Sequence, residues 1–185
     1  MALIKYATIF SVANFGWAQE IPQSDIPDNI LQGEMKKLVV LDTPKILPDL
    51  IVQDFSRKEL TLKADKQKVL LINFWATWCL PCIEEMPSLN AAQEKFKKSD
   101  LSVITVASGR NRPDAILRFF EKNGITNLST YLDPKGKLAS ALGVYGLPTT
   151  IVVTKKSEEI ARLIGGADWN SKEAIRLFEF LLDSP

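Results

Sequence analysis

The chain is 185 residues long, carries a formal net charge of +1 at pH 7 and is 46% hydrophobic. This length fits one domain of about 100–150 residues with an extension, and the hydrophobic content is sufficient for a packed core. Because the lysines are scattered and histidine is absent, the sequence argues against a nucleic-acid-binding surface and against a Cys/His zinc site, so no metal or cofactor is expected.

Residues 1–18 are predicted to be a targeting segment. Lys5 provides a positive start, Tyr6–Phe15 is mostly apolar, and Gly16–Ala18 ends in small residues, a pattern that favours a secretory signal cleaved after Ala18. The apolar run is shorter than the ~20 residues that span a membrane. A buried N-terminal helix and an uncleaved membrane anchor remain alternatives. Either membrane-directed interpretation predicts a periplasmic domain, where disulfide-bearing proteins are found.

Four prolines punctuate the segment from Glu20 to Pro48. The stretch Pro22–Gln32 is typical of a linker, whereas Met35–Leu41 is apolar enough to pack as an appended strand or turn. Residues 19–46 are therefore predicted to be a linker and appended segment that leads into a domain spanning residues 47–185.

Regular elements are predicted from residue 47 onward. Leu50–Gln53 and Glu59–Leu62 should form a short N-terminal β-hairpin. Val69–Trp75 is a continuous apolar run, which is typical of a central strand buried on both faces. A helix is expected from Ile83 to about Lys98. Its core-facing stripe is predicted to comprise Ile83, Met86, Leu89 and Phe96.

The second half of the chain alternates between strands and helices. A capping box of Asn170 and Glu173 is expected to begin the last helix, and Gly124 stands where an earlier helix should end. This order predicts an α/β fold with a central sheet flanked by helices on both faces. The predicted elements are strand Leu101–Ala107, helix Asp114–Asn123, strand Ser129–Leu132, helix Leu138–Gly143, strands Thr149–Val153 and Glu159–Ile164, and a helix ending at Leu182.

The only two cysteines, Cys79 and Cys82, form a Cys-x-x-Cys pair where the strand Val69–Trp75 gives way to a helix. Unpaired backbone N–H groups and the positive end of the helix dipole favour a thiolate at this position. Cys82 follows about one turn later, close enough to form a disulfide with Cys79. A purely structural disulfide is disfavoured, because so small a loop would constrain the unfolded chain little. The pair is therefore predicted to be a dithiol–disulfide redox centre.

Several motifs resemble the TlpA-like branch of the thioredoxin superfamily, which includes ResA and CcmG, and above all the periplasmic TlpA reductases of alpha-proteobacteria. The Trp-Cys-x-Pro-Cys motif marks only the superfamily. The Glu-Met-Pro after it, the inserted helix and strand, and the later Ala-Asp-Trp narrow the resemblance to that branch. It implies a thioredoxin fold and protein-disulfide reductase activity. The matching stretches are Leu47–Leu50, Asn73–Cys82, Glu85–Pro87, Gly146–Thr149 and Gly166–Trp169.

The resemblance also implies roles for individual residues. Cys79 would attack a client disulfide, and Cys82 would resolve the mixed disulfide and release the client. Pro148 would follow a cis peptide bond and present the Leu147 backbone to an extended client segment. For Trp78, ordinary partial burial remains an alternative to client binding. The implied client-binding surface comprises Trp78, Pro81 and Leu147.

Glu85 is the implied proton shuttle for Cys82. It lies three residues past Cys82 on the same helical face. Cytoplasmic thioredoxins place an aspartate where this chain has Asn73, which cannot take a proton, so the base role would pass to Glu85 or to water. The alternative is that Glu85 is a solvated first-turn glutamate like Glu84, favoured by the helix dipole.

The resemblance implies clients among exported proteins with cysteine pairs, namely copper-delivery proteins and the copper-binding subunit of cytochrome oxidase, together with an upstream membrane electron donor. The nearest alternative is a cytochrome c maturation reductase that acts on apocytochrome cysteines. A copper-binding chaperone would need a histidine, and a peroxiredoxin-type peroxidase would need threonine at Ala76. Because Leu80 and Pro81 add no positive charge to hold a thiolate, a reducing potential is expected.

Overall fold

The computed structural model describes residues 26–62 and 68–184, so the predicted targeting segment at residues 1–18 lies outside the described residues. A 3₁₀ turn at Gly33–Lys37 precedes the first strand. In chain order the elements are β1 Leu38–Ile46, β2 Leu50–Gln53, β3 Glu59–Leu62, β4 Val69–Trp75, α1 Leu80–Lys95, β5 Leu101–Ser108, α2 Pro113–Asn123, β6 Ser129–Asp133, α3 Lys137–Ala141, β7 Thr149–Val153, β8 Glu158–Ile164 and α4 Lys172–Asp183.

The strands form one eight-stranded sheet in the order β1-β8-β7-β4-β5-β6-β2-β3. β4, β5 and β6 are parallel, and β7 and β8 run antiparallel beside β4. All seven residues of β4 are buried, as its continuous apolar run predicts for a central strand. The predicted hairpin β2–β3 extends one edge, and the inserted α2–β6 unit adds a parallel strand beside β5. The architecture confirms the predicted thioredoxin fold.

The two faces of the sheet bury separate apolar cores. On one face, Leu71 and Trp75 of β4 pack with residues of α1, α2 and α4. On the other face, Leu70 and Ile72 pack with Leu138 of α3 and with the hairpin. This arrangement confirms that helices cover both faces, and it places the start of α1 at the carboxyl end of β4.

The structure corrects two details of the predicted helices. Helix α1 begins at Leu80 and ends at Lys95, three residues earlier than predicted, and Ile83 is only half-buried because Cys82 and Glu85 occupy the buried face instead. The cap of α4 is Ser171, whose hydroxyl accepts a hydrogen bond from the Ala174 amide, so the predicted capping box with Asn170 is wrong by one residue. Within the described residues, no helix combines the length and apolar character needed to cross a membrane.

The segment before the domain packs more closely than a linker would. Ile26 is buried in the larger core, so the part of Pro22–Gln32 that the structure describes does not behave as a free linker. The predicted appended strand is β1, which extends as far as Ile46 and pairs antiparallel with β8. A buried methionine, Met35, fixes the 3₁₀ turn against the same core.

Candidate active site

The two cysteines form a disulfide at the start of α1 with an S–S distance of 2.05 Å. Cys79 is the N-cap residue, and no side chain caps this end of the helix. Cys79 therefore lies at the positive end of the helix dipole, at the helix start that the sequence predicts. Cys79 is 7% exposed and Cys82 is fully buried. The order of exposure agrees with the predicted roles, but an attacking thiol would be expected to be exposed, and Cys79 is largely buried while it is bonded to the buried Cys82.

A buried asparagine, Asn111, fixes the turn that leads into Cys79. Its Oδ1 accepts hydrogen bonds from the Thr77 backbone N–H at 2.8 Å and from the Thr77 hydroxyl at 3.0 Å. Its Nδ2 donates to the Ser108 carbonyl at 2.8 Å. The end of β5 therefore holds the loop between β4 and α1 in place. The sequence analysis did not identify this contact, because it joins residues 34 positions apart.

We expect Asn111→Ala to destabilise the fold and loosen this turn. The Thr77 N–H would lose its acceptor in a half-buried position, which costs about 1–3 kcal/mol, and dithiothreitol should reduce the Cys79–Cys82 disulfide faster. Urea denaturation and stopped-flow reduction measure the two effects. Asn90→Ala is the matched control, since Asn90 Oδ1 also accepts two backbone N–H bonds, from Thr126 and Asn127. Equal reduction rates in both variants would contradict a positioning role for Asn111.

Glu85 is buried beneath the disulfide-bearing end of α1, unlike the exposed Glu84, so the alternative of a solvated glutamate is wrong. Asn73 Nδ2 donates to its Oε1 at 2.7 Å. The Trp169 indole N–H and the Ala167 backbone N–H donate to its Oε2 at 3.1 and 3.2 Å.

Burial raises the pKa of Glu85 to about 7. The hydrogen bonds from Asn73, Trp169 and Ala167 oppose this rise because they stabilise the carboxylate, while the nearby carboxylate of Glu34 adds to it. Near neutral pH the group therefore exists in both protonation states, which is the property that a proton shuttle needs.

The loop Gly165–Trp169 contacts three of the predicted site residues, namely Pro81, Glu85 and Pro148. The Gly165 N–H donates to the carbonyl of Pro148 at 2.9 Å, and the Leu147–Pro148 peptide bond is cis, as predicted. Gly166 packs against the start of α1 so closely that an added Cβ would lie 3.3 Å from the Pro81 carbonyl oxygen. The hydrogen bonds from Ala167 and Trp169 of this loop to Glu85 were not predicted. The sequence analysis used the Ala-Asp-Trp motif only as evidence for the family resemblance.

The predicted client-binding residues differ in exposure. Trp78 is 65% exposed and Pro81 is exposed, whereas Leu147 is half-buried and contacts both cores. Leu80, between the cysteines, is also mostly exposed. The redox pair therefore lies beside accessible apolar side chains, and Trp78 is mostly exposed rather than partly buried. Trp75, in contrast, is fully buried and packs against Phe119 and Phe120.

Comparison with known proteins identifies the family. A family model described as Redoxin matches residues 44–175. The chain belongs to this family. The thiol-disulfide oxidoreductase ResA of Bacillus anthracis is 31% identical over 136 residues, which are 74% of this chain and 78% of the relative. With the Cys79–Cys82 pair, this similarity shows that the Redoxin-family chain is a protein-disulfide reductase of the TlpA/ResA/CcmG type.

Solved structures agree on the fold. A secreted thiol-disulfide isomerase from Corynebacterium glutamicum has a TM-score of 0.66 at 21% identity, and the match covers 79% of this chain and 90% of that one. The exposed lipoprotein thioredoxin of Streptococcus pneumoniae has a TM-score of 0.59 at 25% identity, with 72% and 100% covered. These similarities support the same sheet and helix arrangement for this Redoxin-family chain.

Proposed function

We propose that this chain reduces disulfides in exported proteins through Cys79 and Cys82, with Glu85 as the proton shuttle. The observation that carries the proposal is a Cys-x-x-Cys pair at the start of α1, one turn from a buried carboxyl group with a pKa of about 7. The thiolate of Cys79 attacks one sulfur of the client disulfide and forms a mixed disulfide, and the other client sulfur leaves as a thiolate and takes a proton.

The second step releases the client. Glu85 accepts the proton of the Cys82 thiol, and the resulting thiolate attacks Cys79 Sγ and breaks the mixed disulfide. The second client sulfur leaves as a thiolate and takes up a proton, which regenerates the charge balance when Glu85 gives up the proton it accepted. Two electrons pass to the client, and the protein is left with the Cys79–Cys82 disulfide, the form that the structure describes. Asn73 carries no proton in this scheme. Its Nδ2 donates to Glu85 and to Thr150, so it orients the carboxyl group instead.

Client recognition is assigned to the apolar residues beside the disulfide. Trp78 and Pro81 border Cys79, and Leu147 with Pro148 would present the backbone to which an extended client segment pairs. Because this surface is apolar, docking requires no charge complementarity, which suits a chain with a net charge of +1.

The clients we propose are exported proteins with closely spaced cysteine pairs, in particular copper-delivery factors and the copper-binding subunit of cytochrome oxidase. The resemblance to the TlpA-like branch supports this choice, and so does the export signal predicted in residues 1–18. Electrons would come from an upstream membrane donor. The proposal places the domain in the periplasm, either released after cleavage or anchored by its N-terminus.

The reduction potential of the Cys79–Cys82 pair tests whether electrons pass from this protein to its clients. We expect a reducing value, because Leu80 and Pro81 between the cysteines contribute no positive charge to stabilise a Cys79 thiolate. Equilibration against glutathione buffers, followed by thiol alkylation, measures it. A potential as oxidising as that of DsbA, about −120 mV, would contradict the proposed reductase function.

A further inference from the structure

The 3₁₀ turn at Gly33–Lys37 lies N-terminal to the residues that the family model matches, yet it contacts the active-site loop. Glu34 Oε1 and Lys37 Nζ form an ion pair at 2.8 Å. Glu34 Oε2 accepts the Asp168 backbone N–H at 2.6 Å, and Lys37 Nζ donates to the Gly166 carbonyl at 3.1 Å. The ion pair therefore binds the loop at two backbone positions, one through each partner.

These two positions lie on either side of Ala167, one of the two loop residues that donate hydrogen bonds to Glu85. Ala167, between Gly166 and Asp168, donates its N–H to Glu85 Oε2, and Trp169 donates its indole N–H to the same oxygen. Glu34 and Lys37 therefore bind the backbone on both sides of Ala167. The turn itself is fixed, because Met35 in its centre is fully buried.

A cleft of about 360 Å³ is lined by residues of the turn, of α1 and of the active-site loop, and Glu85 is one of them. The charged groups that face Glu85 across it are Glu84 on its own helix, Glu34 on the turn and Asp168 on the loop. All three are acidic, and Lys37 is the cation whose ammonium group contacts Glu34 and the loop. The negative charge of Glu34 is therefore partly compensated only while this ion pair is intact.

We propose that Glu34 and Lys37 are positioning residues for the reaction, which hold the loop Gly166–Trp169 against Glu85 and thereby tune its proton transfer with Cys82. The inference rests on the proposed function of Glu85. It assigns a role in the chemistry to a segment that precedes the residues matched by the family model.

Removing the charge of Lys37 and removing the charge of Glu34 should shift the pKa of Glu85 in opposite directions. Lys37→Met leaves the Glu34 charge uncompensated and releases the Gly166 carbonyl, and both changes disfavour the Glu85 carboxylate, so its pKa should rise. Glu34→Gln removes the charge but keeps an acceptor for the Asp168 N–H, so the pKa of Glu85 should fall. Since these are half-exposed groups, each shift should be about half a pH unit.

Carbon-13 NMR titration of the Glu85 carboxyl group measures this directly. The oxidised protein is used, so that no thiol titrates in the same range, and the Glu85→Gln variant assigns the resonance. The matched control is the ion pair Glu94–Lys97 at the C-terminal end of α1, which has the same i,i+3 spacing and similar exposure. Glu94→Gln and Lys97→Met should leave the pKa of Glu85 unchanged. In the reduced protein, the pH profile of mixed-disulfide resolution should shift in the same directions as the NMR titration.

Opposite shifts in the two variants, with unchanged controls, would support the proposal. No shift, or shifts of the same sign that merely follow the thermal stability of the variants, would overturn it. Failure of the proposed function is distinguishable: if Glu85→Gln leaves the pH profile of resolution unaltered, Glu85 is not the shuttle, whatever the titration shows. If Glu85→Gln removes the pH dependence but the Glu34 and Lys37 variants do not move it, only the positioning role is wrong.

Discussion

Cys82→Ser is expected to abolish turnover and to accumulate a covalent complex between Cys79 and its client. Attack by Cys79 does not require the second cysteine, but nothing in the variant can displace the client sulfur once the mixed disulfide has formed. Affinity purification from intact cells under non-reducing conditions, followed by mass spectrometry, identifies the trapped proteins. The buried position of Cys82 beneath Cys79 supports this division of roles, since only Cys79 retains any exposure to a client.

The control is Cys79→Ser with Cys82 intact, which should trap little, because Cys82 has no exposed surface from which to attack a protein disulfide. Copper-delivery factors or the copper-binding oxidase subunit among the trapped proteins would support the proposed clients. Recovery of only apocytochrome c or its haem-ligation partners would exclude the copper assignment and leave a general reductase. Trapped proteins exclusively from the cytoplasm would contradict the export predicted for residues 1–18.

The docking surface can be tested with the same trap. Adding Trp78→Ala to Cys82→Ser should lower the yield of complexes, because the exposed indole is the largest apolar group beside Cys79. Tyr145→Ala is a suitable comparison, since Tyr145 is also a large and highly exposed aromatic residue, in the segment leading to Pro148. A yield that falls equally for both would show that the surface is wider than Trp78, Pro81 and Leu147.

Local patterns predicted most of the fold. The unbroken apolar run of β4 identifies a central strand, and Gly124, whose φ is +63°, ends α2 where a left-handed residue is needed. The cap of α4 was misplaced because Asn170 and Ser171 are both good cap residues, and only tertiary packing decides between them. The cis bond before Pro148 came from the resemblance, since sequence patterns alone favour trans.

The candidate site was predicted less completely than the fold, because several of its contacts join residues that are far apart in the sequence. Cys79, Cys82 and Glu85 lie within seven residues of one another, so their spacing on one helix could be interpreted directly. The donors to Glu85 come from Ala167 and Trp169, 82 and 84 positions away. The hydrogen bonds from Thr77 to Asn111 join residues 34 positions apart. Such contacts depend on how the loops after β5 and β8 meet the start of α1, which no periodicity encodes.

Glu85→Gln is expected to slow resolution of the mixed disulfide by about 100-fold, the lower end of what a positioned general base contributes. The wild-type rate should increase as Glu85 ionises with its pKa of about 7, and the variant should lose this pH dependence. Attack by Cys79 on the client should change little. Stopped-flow thiol exchange across pH separates the two steps, and Glu84→Gln, which alters the exposed neighbour, is the control.

The same substitution has a consequence for stability whose sign follows from the raised pKa. Between pH 4.5 and about 7, the folded protein keeps a proton on Glu85 that the unfolded chain has lost. The free energy of unfolding should therefore fall as pH rises through this window, by roughly 3 kcal/mol in total. Glu85→Gln cannot ionise, so its stability should lack this fall, even if the neutral amide fits the Trp169 and Ala167 donors less well. Urea denaturation of the oxidised proteins at pH 4.5 and pH 8 gives the comparison. A wild-type stability that does not decrease, or a decrease that persists in the variant, would show that Glu85 is not the buried group that titrates, and its assignment as proton shuttle would lose its basis.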